Sequence, residues 1–388
     1  MKLRFITDIK KSGKSCKPYD GERLYIDTGS VQNNKIIDGE MVTYEKKPSR
    51  ANICVTVGDV LFAKMQDSIK VVQVDDLSQD YVFSTGFYCF RDSRIEPSYL
   101  KYLFMSPLFN SIKDGKSHGS TMSAINDDNM KRLIVDIPEL PVQRRVIEEL
   151  DHILSTINAV DKQIDLYREL LASRFFSLFE EPEQSKKWNQ QPLDKICDTI
   201  YRYPTFYGME YLEDGVKVIR IGNILRDGHM QLGHENYVYV YDKANSDFPE
   251  TVIEMNDIVM AVRGDGSCAK RIGIITDEEL VGANISPNLI RIKANPDCIK
   301  PLFLYYFMTG DLGQARLDAY VKKTAKKNIA AKDIKKVIAP VPPTDVQQEF
   351  IDLANDIENV IAVLKKRQSF YYELLNKQLD KYFSLEVQ

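Results

Sequence analysis

The chain has 388 residues, of which 44% are hydrophobic, and its formal net charge at pH 7 is −4. This length and composition are sufficient for two or three domains, each with its own hydrophobic core. No apolar run approaches the roughly 20 residues that a membrane-spanning helix needs, and the first residues, MKLRFITDIKKSGK, are charged where a signal peptide has an apolar stretch. We therefore expect a soluble, cytoplasmic protein.

Residues 1–136 are predicted to form a mixed α/β domain. Short segments rich in β-branched and aromatic residues, including RLYIDTGSV, DVLFAKM, KVVQV and YVFSTGFYCF, are separated by Gly, Asp and Asn turns. This pattern is typical of strands. The segment PSYLKYLFMSPLFNSI, which follows them, predicts one helix.

A long amphipathic helix is predicted for the next region, residues 137–181. After the proline-rich segment IPELP, apolar residues recur at alternating steps of three and four, which places them along one face of a helix. This heptad seam consists of Leu150, Ile153, Ile157, Val160, Ile164, Tyr167 and Leu171.

The second half of the chain repeats the first. Residues 96–179 align with residues 300–383 at a constant offset of 204 without a gap, and the polar segment EEPEQSKKWNQQP separates the copies. Residues 182–340 therefore predict a second mixed α/β domain, with the strand segments VKVIRI, DIVMAV and RIGIIT. Residues 341–388 predict a second long helix in the same heptad phase, with the seam Ala354, Ile357, Ile361, Leu364, Gln368, Tyr371 and Leu375.

Two interpretations of the long helices remain open. Each helix would measure about 60 Å at 1.5 Å per residue, which is longer than one small domain covers. We favour packing of the two helices on each other, with Gln368 as a polar interruption that fixes their register. The alternative is two independent amphipathic helices, each lying on its own domain.

Charge is distributed unevenly along the chain. Residues 139–183 hold ten acidic and five basic side chains and residues 341–388 hold eight and five, so the rest of the chain carries a net charge of +4. Basic loops that contain Ser, Thr or His, such as KDGKSHGST and YVKKTAKKN, recur at corresponding places in both copies, which favours contact with a phosphate backbone. The alternative for any single loop is a solvated, lysine-rich surface.

Individual residues are predicted to contact phosphates or to read bases. The predicted phosphate contacts are Lys116, Ser117, His118, Ser120 and Thr121 in the first copy and Lys322, Lys323, Thr324, Lys326 and Lys327 in the second. An Arg or Gln presented to base edges contributes roughly 1–3 kcal/mol of discrimination. The base-reading candidates, which follow strand or turn segments, are Lys64, Gln66, Arg202, Tyr203, Arg263 and Lys270.

The sequence lacks signatures of catalysis. The segment SGKS at Ser12–Ser15 has Asp8 where a phosphate-binding loop requires glycine, and no Gly-rich cofactor loop occurs with an (Asn/Asp)-Pro-Pro-aromatic motif. His229 and His234 flank no carboxylate cluster, and none of the six cysteines belongs to a CxxC pair. We therefore expect no metal site, no disulfide framework and mostly reduced, structural thiols.

The duplicated order of globular domain, proline-rich junction with a glutamine, and long helix resembles the specificity subunit of type I restriction-modification systems. The most specific segments are the junctions IPELPVQRRVIEELDHIL and VPPTDVQQEFIDLANDIE. The segments GSTMSAINDDNMKRLIVDIP and TAKKNIAAKDIKKVIAPVP, which lead into the junctions, and WNQQPLDKICDTI, which opens the second copy, also carry the resemblance. The resemblance covers essentially the whole chain.

The resemblance implies an α+β protein with two target recognition domains, residues 1–136 and 182–340. They would be separated by an antiparallel coiled coil of residues 137–181 and 341–388, with a pseudo-twofold axis relating the repeats. Each domain would read one half of a split double-stranded DNA target, and half-sites roughly one helical turn apart, about 34 Å, suit such an arrangement.

The resemblance also implies partners. These would be two methyltransferase subunits, which flip and methylate adenines, and restriction-translocase subunits that cut unmodified DNA. The chain itself would need no cofactor, because S-adenosylmethionine, ATP and Mg²⁺ belong to the partner subunits. Two rival functions remain open, namely a structural coiled-coil adaptor without DNA specificity and an autonomous DNA-modifying enzyme with an unrecognised site.

Overall fold

The computed structural model describes residues 1–119, 123–203, 210–225, 227–262, 271–321 and 328–387. The chain divides into two compact units. The first consists of Met1–Gln163 and Leu364–Gln388, and the second of Ile164–Val363. Each unit thus contains one globular part together with portions of two long helices.

Short strands and helices precede the first long helix. The strands are β1 (Lys2–Arg4), β2 (Lys14–Ser15), β3 (Glu22–Ile26), β4 (Val31–Gln32), β5 (Lys35–Ile36), β6 (Glu40–Thr43), β7 (Ala51–Cys54), β8 (Val60–Ala63), β9 (Val71–Gln73), β10 (Val82–Ser84), β11 (Phe87–Phe90) and β12 (Leu133–Asp136). The helices are α1 (Pro97–Met105), α2 (Pro107–Gly115), α3 (Asp127–Met130) and the 36-residue α4 (Leu140–Phe175).

The second half of the chain follows the same plan. Its strands are β13 (Asn189–Pro192), β14 (Cys197–Tyr201), β15 (Val216–Ile219), β16 (Val238–Val240), β17 (Ile258–Ala261), β18 (Ile272–Ile274), β19 (Asn284–Ile285), β20 (Leu289–Ala294), β21 (Ile338–Val341) and β22 (Leu385–Val387). Its helices are α5 (Pro182–Ser185), α6 (Leu193–Ile196), α7 (Ala244–Asp247), α8 (Pro301–Thr309), α9 (Asp311–Asp318), α10 (Ala331–Ile334) and the 39-residue α11 (Thr344–Tyr382).

The globular part of the first unit is built from small sheets. A five-stranded sheet has the order β2-β7-β10-β3-β6, and three-stranded sheets have the orders β11-β8-β9 and β1-β12-β22. All four residues of β8 are buried, which explains why its sequence, VLFA, is continuously apolar. Phe62 of β8 packs against Phe104 of α1 with ring centroids 4.5 Å apart, within a hydrophobic core of the unit.

The second unit repeats part of this arrangement. A four-stranded antiparallel sheet has the order β14-β20-β17-β18, a second sheet has the order β16-β15-β19, and β13 pairs with β21. Strand β17 is fully buried, like its counterpart β8.

The turn before each of these buried strands has the same construction. Asp59 accepts a hydrogen bond from the backbone N–H of Thr56 at 2.8 Å, and Asp257 accepts one from Glu254 at 2.7 Å. The residue before each aspartate has a positive φ, 87° at Gly58 and 66° at Asn256, a conformation that glycine and asparagine tolerate best. The positive φ therefore explains why the residue before the aspartate is glycine in one copy and asparagine in the other.

The single helix predicted for PSYLKYLFMSPLFNSI is wrong, because the structure has two helices there. Ser106 is extended and ends α1, and its hydroxyl accepts a hydrogen bond from Phe109 N at the start of α2. Pro107 has no N–H to continue α1, which is why the helix stops. In the second copy the chain breaks at the equivalent residue, Gly310, between α8 and α9.

The expectation of reduced thiols is also wrong for one pair, because Cys16 and Cys54 form a disulfide. The pairing of β2 with β7, in which Lys14 lies opposite Cys54, brings the two cysteines close together. Spacing along the chain carried no sign of this contact. Among the described cysteines, Cys89, Cys197 and Cys298 are free.

The long helices contribute to the core of each unit. In the first unit, Leu150 and Ile153 near the start of α4 share a core with Leu379 near the end of α11. In the second unit, Phe175 at the end of α4 packs against Phe350 near the start of α11, with ring centroids 5.0 Å apart.

Candidate nucleic-acid interface

Three of the sequence-predicted residues lie on adjacent backbone segments of the first unit. The chain after β8 pairs with the segment before α3, since Gln66 N donates to Ser123 O at 2.9 Å and Ile125 N donates to Lys64 O at 3.0 Å. His118 pairs with Ala124 of the same segment. The structure thus brings Lys64, Gln66 and His118 together, although they come from two distant parts of the sequence.

The predicted phosphate contacts of the first copy differ in exposure. His118 is exposed, whereas Lys116 and Ser117 are half-buried. The hydroxyl of Ser117 donates to Lys113 O at 2.8 Å, and the carbonyl of Lys116 accepts from Asn129 Nδ2 at 2.8 Å. These bonds tie the loop to its neighbours. Ser120 and Thr121 lie outside the described residues.

Lys64 is a half-buried lysine. Its Nζ donates to Thr85 O at 2.8 Å and lies 4.3 Å from the centre of the Tyr88 ring. Burial lowers the pKa of Lys64 because it penalises the charged ammonium. Gln66, two residues further on, is exposed.

Sequence reasoning missed an ionic network beside these residues. Asp127 Oδ2 accepts a hydrogen bond from Lys11 Nζ at 2.6 Å, and Oδ1 accepts one from the Tyr88 hydroxyl at 2.5 Å. Partial burial opposes ionisation of Asp127, but the hydrogen bonds and the charges of Lys11 and Lys64 outweigh it and lower the pKa of this carboxyl. Burial and the bond to Asp127 raise the pKa of Tyr88.

This network fixes the Asp127 carboxylate against Lys11 and Tyr88, within the electrostatic influence of Lys64. Carboxylates accept hydrogen bonds from cytosine N4 in the major groove, so the arrangement is chemically able to contact bases. Lys11 and Asp127 are 116 residues apart, and no local sequence pattern predicts a contact over that distance.

Most of the sequence-predicted residues of the second copy lie outside the described residues. These are Arg263, Lys270, Lys322, Lys323, Thr324, Lys326 and Lys327. Arg202 is half-buried, and its Nε donates to Pro287 O at 3.0 Å.

Tyr203, which the sequence predicted to read bases, lies in a hydrophobic core in this structure. Tyr203 is 5% exposed and belongs to a hydrophobic core, and its ring packs edge-on against Phe248 with centroids 4.9 Å apart. A ring packed in this way is part of the core and does not present an edge to solvent.

A second set of basic residues was not selected from the sequence. Lys131 and Arg132 follow α3, and Lys335 and Lys336 follow α10 at the equivalent positions of the second copy. All four are exposed. Their repetition at the offset of 204 was the sequence signal that would have identified them.

Two buried glutamines, one in each copy, form the hydrogen bonds that hold the junctions between the domains and the long helices. Gln143 Oε1 accepts from Glu96 N at 2.8 Å, and its Nε2 donates to Arg94 O at 2.9 Å and to Pro138 O at 2.8 Å. Gln143 has no exposed surface. Because Glu96 precedes α1, these bonds fasten the first turn of α4 to the start of α1.

Gln347 makes the corresponding bonds in the second copy. Its Oε1 accepts from Lys300 N at 2.8 Å, and its Nε2 donates to Pro342 O at 2.8 Å and to Cys298 O at 3.4 Å. Gln347 also has no exposed surface. The glutamine in each junction motif therefore has the same structural role.

The predicted seam positions of both helices are buried or half-buried. The buried positions are Leu150, Ile153, Ile157, Val160, Ile164, Leu171, Ala354, Ile357, Ile361, Leu364 and Leu375. The half-buried positions are Tyr167, Gln368 and Tyr371. In the first unit, Gln368 Nε2 donates to Asp161 Oδ1, so the polar interruption has a partner on the other helix.

The described residues hold neither a metal-binding cluster nor a helix suited to a membrane. No group of three or more His, Cys, Asp or Glu side chains among them is arranged to hold a metal ion, and none of their helices has the length and apolar character needed to cross a bilayer. His229 lies with its Nδ1 3.3 Å from Asp227 Oδ1, and His234 stacks on Tyr239.

Comparison with known proteins identifies the class. The family described as the type I restriction modification DNA specificity domain matches residues 6–166 and again residues 185–369. Two matches that together span most of the chain define a protein with two specificity domains. The chain belongs to the family of type I restriction-modification specificity subunits.

Particular relatives are distant in sequence. The type I restriction enzyme EcoBI specificity subunit of Escherichia coli is 22% identical over 286 residues, which cover 66% of this chain and 58% of that subunit. The chain thus spans less than two thirds of that relative. The putative type I restriction enzyme MjaX specificity subunit of Methanocaldococcus jannaschii is 20% identical over 94% of this chain and 88% of its own length.

A solved structure shares the fold. It comes from work on complex assembly and conformational transition of the type I R-M system, and superposes with a TM-score of 0.57 at 18% identity. The superposition covers 98% of this chain and 96% of that chain.

Proposed function

We propose that this chain is the DNA-recognition subunit of a type I restriction-modification complex and is itself non-catalytic. Residues 1–136 and 182–340 each read one half of a bipartite double-stranded DNA target. The observation that carries this proposal is the duplicated specificity domain, matched once in each half of the chain. A protein with two similar readers is suited to a target with two parts.

The long helices act as a spacer between the readers. In the first unit the start of α4 packs with the end of α11, and in the second unit the end of α4 packs with the start of α11. Both pairings are those expected of an antiparallel coiled coil. Helices of 36 and 39 residues measure about 55 Å at 1.5 Å per residue, and a pseudo-twofold axis between the repeats would present the readers to half-sites about 34 Å apart.

The partners are two methyltransferase subunits and further restriction-translocase subunits in the cytoplasm. S-adenosylmethionine, ATP and Mg²⁺ belong to those partners. Docking on the helices is supported by Leu166 of α4 and Phe370 of α11, which occupy equivalent repeat positions and are 52% and 61% exposed. Large apolar side chains repeated on the outer face of a helix favour burial by another protein.

Binding and activity of the purified chain test the proposal. The chain is incubated with a randomised DNA duplex library, with and without Mg²⁺ and S-adenosylmethionine. We expect selection of a bipartite sequence without cleavage or methylation. Binding without any sequence preference would favour the structural adaptor, and chemistry by the chain alone would favour an autonomous enzyme.

A further inference from the structure

The turn that follows β8 is held by two residues of α2. Lys113 Nζ donates to Met65 O at 2.9 Å and to Ser68 O at 2.6 Å, and Asp114 Oδ1 accepts from Asp67 N at 3.1 Å. The two α2 side chains also form an ion pair at 3.2 Å. Both ends of the turn, residues 65–68, are therefore fixed to one helix.

The second copy of the repeat has no lysine at the position that corresponds to Lys113. The side chain of Lys113 is completely buried, and a buried ammonium is costly unless it is paired and hydrogen-bonded. The equivalent residue of the second copy is Leu317 of α9, which is also fully buried. Because leucine occupies that position there, the polar contacts of Lys113 have no counterpart in the second domain.

The feature that Lys113 holds is an unusual backbone conformation. Asp67 has a φ of 54°, in the left-handed region that non-glycine residues adopt infrequently, although aspartate does so more readily than most. The hydrogen bonds from Lys113 and Asp114 hold the turn against α2. On the other side, Gln66 N donates to Ser123 O at 2.9 Å.

Gln66 stands at this restrained position with a free side chain. It is exposed, and within the described part of the chain its amide group makes no hydrogen bond. Lys64 lies two residues earlier on the same segment, and His118 pairs with Ala124 of the segment that Gln66 contacts. Because the backbone of the turn is already fixed, binding would cost Gln66 only the rotamer entropy of its side chain, and a fixed backbone favours selective recognition.

We propose that Gln66 reads an adenine in one half of the target and that Lys113 is its positioning residue. A glutamine amide accepts from adenine N6 and donates to N7, and no other base offers that pair in the major groove. Asp114 supports the same turn. This inference rests on the proposed function, because it assigns a base to one of the two readers.

Selection of DNA by three variants of the full chain tests the inference. Gln66→Ala removes the reading group, Lys113→Leu introduces the residue of the second copy, and Gln79→Ala removes an exposed glutamine from another turn of the same unit. Each variant selects duplexes from a randomised library, and thermal unfolding reports whether it is folded. We expect wild type and Q79A to select the same bipartite motif, with adenine required at one position of one half.

The expected result for Q66A is a loss of preference at that position alone, by roughly 5- to 150-fold. K113L should relax the same position, whereas a purely structural lysine would weaken binding to all sequences alike and leave the motif unchanged. If Q66A selects the same motif as the wild type, or loses preference at a position that is not adenine, Gln66 does not read adenine. This conclusion holds even if K113L is unstable. Absence of any motif in the wild type would overturn the proposed function as well, which separates the two failures.

Discussion

Gln143 and Gln347, 204 residues apart, make the same set of hydrogen bonds from the first turn of two different helices. Each accepts from the backbone N–H that precedes a short helix, Glu96 N or Lys300 N, and each donates to the junction proline carbonyl five residues earlier. The repeated junction therefore fixes the first turn of each long helix to the start of a short helix of the same copy. The spacer role that we propose for the helices requires a rigid joint of this kind.

Replacing either junction glutamine by leucine should destabilise the unit to which it belongs. The change leaves a buried N–H and buried carbonyls without partners, which costs about 1–3 kcal/mol for an unsatisfied group. Denaturant unfolding of Q143L and Q347L measures the loss, with Gln163→Leu as the control because Gln163 is exposed on α4. Equal stability of Q143L and Q163L would mean that the junction bonds contribute nothing.

Charged substitutions on the exposed helix face should prevent partner binding without unfolding the chain. Leu166→Lys and Phe370→Lys place an ammonium where we propose that a methyltransferase subunit buries apolar surface. Each single variant should bind one methyltransferase subunit instead of two, as measured by mass photometry or analytical ultracentrifugation. Val363→Lys, at another exposed apolar position of α11, shows whether any charge on that helix has the same effect. Two subunits bound to both variants would place the docking surface elsewhere.

The lysine-rich loop of the second copy is predicted to contact DNA phosphates. Replacing Lys322, Lys323, Lys326 and Lys327 by alanine should weaken binding to every sequence, because fewer counterions are released. The slope of log affinity against log salt should fall by about 0.9 for each phosphate that the variant no longer neutralises. Binding isotherms at several salt concentrations measure both effects, and an unchanged slope would exclude this loop from the phosphate-binding surface.

The protein should lose stability in alkaline solution. Burial raises the pKa of Tyr99 and of Tyr305 to about 12, so the folded state keeps these protons to higher pH than the unfolded chain does. The stabilisation is complete below the ordinary tyrosine pKa of about 10 and is lost as the pH rises from there towards 12. Denaturant midpoints between pH 8 and 11.5 should fall, and they should fall less steeply in Tyr99→Phe and Tyr305→Phe. If the denaturant midpoint falls with pH equally steeply in the wild type and in both variants, Tyr99 and Tyr305 do not contribute to the loss of stability.

Long helices and buried strands could be predicted because their patterns are local. The heptad spacing after each junction corresponds to α4 and α11, and the apolar segments VLFA and IVMA correspond to β8 and β17. The break at Ser106–Pro107 also had a local signal, since proline cannot continue a helix. The apolar pattern on both sides of this proline nevertheless favoured one continuous helix.

The candidate site was predicted only in part, because its contacts join distant segments. The chemistry of Lys64 and Gln66 suggested DNA, but the turn that holds Gln66 depends on Lys113, a residue of a different helix. The burial of Tyr203 had no signal in the short segment Tyr-Arg-Tyr-Pro, since sequence does not reveal which face of a turn meets the core. Similarly, nothing local predicts that Lys11 meets Asp127.

Domain exchange tests the central claim most directly. Residues 1–136 are replaced by the corresponding domain of another family member, and the DNA selected by the hybrid chain is sequenced. Two independent readers on one spacer predict that one half of the target changes while the other half and the gap between them stay the same. A hybrid that changes both halves, or that alters the gap alone, would contradict the account.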